Sequence, residues 1–97
     1  MIHLSYGGQF EEADLVAHIK STGHDYIIQG QQAVSQESHS KPRSLDYWLR
    51  QFAASPNTKQ ADNQVMSALV KTGLFIMGNN LLCPDSGRFC KGLRLLV

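Results

Sequence analysis

Thr58-Lys59-Gln60-Ala61-Asp62-Asn63-Gln64-Val65-Met66-Ser67-Ala68-Leu69-Val70-Lys71-Thr72-Gly73 is the stretch on which the reading of this chain turns. Ala61, Val65, Ala68, Leu69 and Thr72 recur at helical spacing, which predicts one amphipathic helix with a buried stripe. Thr58 has the chemistry of an N-cap, and Gly73 falls where a helix ends. The opposite side carries Gln60, Asn63, Gln64, Ser67 and Lys71, aligned along one side of the rod. Amide, hydroxyl and ammonium groups of this kind hydrogen-bond to base edges and phosphates. The competing reading is an ordinary solvated helix face, so the surroundings must decide between them.

On the N-terminal side of this helix, Pro42 bars a helix just before it and Ser44 is a second N-cap. Leu45, Trp48, Leu49 and Phe52 make a core stripe over a helix from Leu45 to Ala54. Ser55-Pro56-Asn57 then separates two helices by a short turn, the helix-turn-helix spacing, over residues 44–73. On the C-terminal side the pattern changes to strands. Leu74-Phe75-Ile76-Met77 is an apolar run, and Gly78-Asn79-Asn80 has turn chemistry. Leu81–Cys83, Pro84-Asp85-Ser86-Gly87 and Arg88–Val97 predict a hairpin closed by a four-residue loop. Earlier still, Ile2–Tyr6 alternates as a short strand and Gly7-Gly8 breaks it. Gln9–Thr22 reads as a helix ending at Gly23, His24–Gln29 as a second strand, and Gly30–Arg43 as a polar loop with a weak strand near Ala33-Val34.

These elements fit a single α+β domain over residues 1–97, with three helices, one or two short N-terminal strands and a C-terminal hairpin over 74–97. The order resembles a winged helix, closely over residues 44–97 and loosely over 1–43. The resemblance is to an architecture, and it implies a non-catalytic protein that reads duplex DNA. Gln60, Asn63, Gln64 and Ser67 would then face bases, with the helix N-terminus near phosphates. Lys59, Lys71, Arg88 and Arg94 would face phosphate or groove, with Arg43 and Arg50 flanking the helix pair. In a regular strand Arg88 and Arg94 share a face and Lys91 lies opposite.

Charge distribution supports an anionic partner. Residues 1–40 hold one basic side chain, Lys20, against five acidic ones, whereas residues 41–97 hold eight basic against three acidic. The total of +1 is close to neutral. That near-neutrality and the apolar Leu74–Met77 run motivate a second reading, a protein-interaction or self-association module of the same fold. No apolar run is long enough for a membrane span, and no signal peptide is visible, so the expected location is cytoplasmic. The two cysteines are then expected to be thiols. Catalytic and metal motifs fail on spacing. Cys83 and Arg88 are one residue too close for a cysteine phosphatase loop, and the residue two before Lys91 is Phe89 where a nuclease carboxylate would stand. Cys83 and Cys90 do not complete a four-ligand zinc site, and Gly7-Gly8 lacks the spacing of a phosphate loop. No metal or cofactor is expected.

Overall fold

The computed structural model describes residues 1–4, 7–30, 44–52, 61–83 and 87–97. In chain order the elements are β1 (Ile2–His3), β2 (Gln9–Phe10), α1 (Glu12–Ser21), β3 (Tyr26–Ile28), α2 (Leu45–Leu49), α3 (Asn63–Lys71), β4 (Phe75–Leu82) and β5 (Phe89–Leu95). The described residues thus form a small α+β fold with three helices, a two-stranded sheet and a three-stranded antiparallel sheet of order β3-β5-β4. The Ala33-Val34 strand and most of the expected loop lie outside the described residues.

The first helix is shorter than its periodicity suggested. Gly7 and Gly8 both take positive φ, which reverses the chain and lets Ile2–His3 pair with Gln9–Phe10. Pairing holds Gln9 and Phe10 extended, so α1 starts only at Glu12. Phe10 is buried as its apolar character demanded, but from a strand.

The largest core cluster draws on both halves of the sequence. Ile2, Leu4, Phe10, Leu15, Ile19 and Ile27 meet Leu45, Trp48, Leu49, Val65, Met66, Leu69, Phe75 and Leu93 in it. Trp48 sits at its aromatic centre, with Phe10 edge-on at 5.3 Å, Phe52 at 5.0 Å and His18 stacked at 5.8 Å between ring centroids. Aromatic pairs at these separations add to the area they bury. Of the stripe expected over Leu45–Ala54, Leu45, Trp48 and Leu49 are buried on α2, while Phe52 lies beyond the end of the helix and packs against the cluster partly buried. On α3, Met66 joins the core in place of Thr72, which is exposed and bonds its hydroxyl back to the Leu69 carbonyl.

The Gly78-Asn79-Asn80 segment is not a turn. It lies inside β4, where the register moves from Gly78↔Gly92 to Leu81↔Cys90. Two residues, Asn79 and Asn80, therefore oppose Lys91 alone, which is a β-bulge. The extra residue reverses the side-chain alternation of β4 beyond it. Leu81 and Cys83 consequently join Ile28, Cys90 and Tyr26 in a small cluster on the sheet face turned away from the helices. The chain reversal comes later, where Gly87 takes positive φ and its N–H donates to the Cys83 carbonyl. Among the described residues no helix is long and apolar enough to cross a membrane.

Candidate nucleic-acid interface

Helix α3 begins at Asn63, four residues later than an N-cap at Thr58 would have started it, and Thr58 itself lies outside the described residues. Asp62 is the observed N-cap, its carboxylate accepting from the Val65 N–H at 2.9 Å. Ala61 cannot join the helix because its backbone is committed elsewhere. Its N–H donates to Asp46 Oδ1 at 3.0 Å, and its carbonyl accepts from Gln29 Nε2 at 2.6 Å. α2 likewise stops at Leu49, so the two helices are not separated by Ser55-Pro56-Asn57 alone.

Those bonds belong to a latch that positions α3. Asp46 is only 9% exposed. Its N–H donates to the Gln29 carbonyl, and its second carboxylate oxygen accepts from Arg50 at 3.2 Å. Gln29 in turn donates its N–H to the Lys91 carbonyl. The end of β3, the first turn of α2, the start of α3 and the middle of β5 thus meet through one glutamine and one aspartate. Sequence reasoning missed this group: Asp46 counted only as an acidic residue in a basic half. The signal available was an acidic residue in a helix first turn, one position after a core leucine.

The expected ridge is present from Asn63 onward. Asn63, Gln64, Ser67 and Lys71 are all exposed on α3, while Val65, Met66 and Leu69 face the core. Asn63, Ser67 and Lys71 follow at intervals of four, a row about 12 Å long. Lys71 makes no ion pair with a described residue. Gln60, Lys59 and Arg43 lie outside the described residues. The N-terminus of α3 is not the phosphate site that the helix dipole alone suggested, because Asp62 already occupies it with a carboxylate.

The remaining cations are dispersed. Arg50 is held by Asp46 and lies 5.8 Å from the Tyr47 ring centroid, so it serves the latch. Arg94 pairs across the sheet with Tyr26 and Ile76, on the face opposite the one that α3 covers. It therefore does not converge with the α3 ridge. Lys91, two residues from Leu93 in a regularly alternating strand, shares the helix-side face with Phe89. Arg88 is exposed just ahead of β5. Neither Lys91 nor Arg94 makes an ion pair with a described residue.

Neither cysteine is in a disulfide. Burial pushes the Cys90 thiol up from its ordinary value, nearby Cys83 adds to the rise, and Arg88 opposes it. Among the described residues no three His, Cys, Asp or Glu side chains stand together in a way that could hold a metal ion. Comparisons with protein-family models, with curated proteins and with solved structures return no match to this chain.

Proposed function

We propose that this chain is a non-catalytic, winged-helix-like protein that binds duplex DNA, with α3 in the major groove and the β4–β5 hairpin as the wing. The observation that carries the reading is the α3 ridge. Four polar or cationic side chains stand outward on a helix whose other face is fully committed to the core and whose start is fixed by the Asp46–Gln29–Ala61 latch. The order α1–β3–α2–α3–β4–β5, with sheet order β3-β5-β4, supports the architecture. Asn63 and Gln64 have the bidentate amide chemistry that pairs with adenine. Lys71 adds a phosphate contact, and Lys91 takes the wing position first assigned to Arg94.

Fluorescence anisotropy with mixed-sequence duplexes at low salt tests this. Binding should weaken steeply with salt, and Lys71→Ala should reduce the salt slope by about one unit. Binding that is absent at micromolar protein in low salt overturns the reading.

One observation favours self-association instead. β4 is a sheet edge of eight residues without a single charge, and it exposes Ile76, Met77 and Leu82. Edges of this kind pair readily with a second chain. Light scattering that reports a dimer together with no DNA binding would select this alternative.

A further inference from the structure

Both cysteines of the chain stand at the turn end of the β4–β5 hairpin. Cys83 follows the last residue of β4, and Cys90 is the second residue of β5. Leu81 is the cross-strand partner of Cys90, and Cys83 lies two residues beyond Leu81, so the cysteines are diagonal neighbours on one face of the ladder. One oxygen draws them together. The Arg88 carbonyl accepts from the Cys83 N–H at 2.8 Å and from the Cys90 thiol at 3.8 Å. The Cys90 side chain therefore leans along β5 toward the level of Cys83. Both pack in one cluster with Ile28, Leu81 and Tyr26. The two thiols also sense each other: Cys83 adds to the rise that burial imposes on Cys90, and Arg88 opposes it.

Among the described residues no third His, Cys, Asp or Glu joins the pair to hold a metal ion, which leaves the chemistry of the sulfurs themselves. We propose that Cys83 and Cys90 form a dithiol site that a low-molecular-weight disulfide oxidises to an internal bridge across the hairpin end. This site is independent of the DNA-binding reading. Cys90 reacts first, because it is half-buried and Cys83 is fully buried. Its thiolate attacks one sulfur of the small disulfide, that S–S bond breaks, one small thiolate leaves, and a mixed disulfide remains on Cys90. The Cys83 thiolate then attacks the Cys90 sulfur and displaces the second small thiolate. Two protein thiols are oxidised, one small disulfide is reduced, and the two cysteine protons end on the two small thiols. Diagonal neighbours in a regular ladder have Cα atoms about 7–8 Å apart, whereas a disulfide takes about 4.4–6.8 Å. Closing the bridge therefore pulls the hairpin end together, and Cys83, one residue past β4, is where the chain gives. The thiol bond from Cys90 to the Arg88 carbonyl is lost as it closes. Bridges strained in this way are readily reduced, so the step is reversible.

The test takes the reduced full chain under native conditions with excess oxidised glutathione at about pH 9, where Cys90 supplies thiolate despite its burial. Samples are quenched in acid and weighed intact. Wild type should end as a monomer about 2 Da lighter, with a glutathione adduct on Cys90 only as a transient. Peptide mapping should join Cys83 to Cys90, and dithiothreitol should restore the starting mass. Cys83→Ser should stop at the Cys90 adduct and hold it at least about tenfold longer than wild type does. Circular dichroism checks that the variant is folded, and the wild-type readout stands alone where it is not. A wild-type adduct that persists, a link between two copies, a bridge that forms only in urea, or no loss of thiol overturns the proposal.

Discussion

At the residue scale, the side chains that matter most for the fold are the ones the pattern made least conspicuous. Asp46 accepts from a backbone N–H fifteen positions away and from Arg50, in a nearly buried setting. Asp46→Ala leaves the Ala61 N–H and the Arg50 guanidinium without their acceptor, and should cost about 2–4 kcal/mol in urea unfolding. Asp46→Asn, which keeps one acceptor oxygen, should cost less. Gly92 is a second such position. A Cβ there would collide with the Ile27 carbonyl oxygen and stand 2.7 Å from the Ile28 Cα. Gly92→Ala should therefore separate β3 from β5 and lower stability by about 2–3 kcal/mol, with faster amide exchange in Tyr26–Ile28. Cys90, with its thiol pushed up by burial, should react with iodoacetamide at pH 8 more slowly than a free cysteine, and Cys83 only on unfolding. The roles of Asp46 and Gly92 were not legible in the sequence, because they depend on partners 15 to 65 positions away and neither periodicity nor local propensity carries such information.

At the scale of the elements, the sequence was informative where one face repeats at helical spacing. The α2 stripe and the outward face of α3 follow from Leu45–Trp48–Leu49 and Asn63–Ser67–Lys71 without any tertiary knowledge. Boundaries fared worse, and for physical reasons. Thr58 and Asp62 are both good caps, and the competition was decided by the bonds that Ala61 makes to Asp46 and Gln29. Replacing Asp62 by alanine should accordingly destabilise the protein by about 1 kcal/mol, measurable as a shifted denaturation midpoint with unchanged slope. Gly-Asn-Asn is as compatible with a bulge as with a turn, because both need a local departure from pleated geometry. The strand opposite selects the bulge. Deleting Asn80 removes the extra residue and leaves Leu81 opposite Cys90 in a regular register, so Leu81 and Cys83 should keep their cluster, and amide exchange at Leu81 and Cys83 should stay as slow as in the unaltered chain.

At the scale of the molecule, the acidic first half and the basic second half share one hydrophobic cluster. The N-terminal hairpin contributes Phe10 to the aromatic group around Trp48. Phe10→Ala should cost about 3–5 kcal/mol by global unfolding, far more than a peripheral strand would. A further consequence follows from the bonds that Gln29 makes to Ala61 and, through its backbone, to Asp46 and Lys91. They clip the two ends of a 32-residue span to one another and to the sheet. A backbone severed once within that span need not fall apart. Co-expressed as two pieces, the protein should reassemble through strand pairing and a common interior, and each half would serve as the sensor of the other.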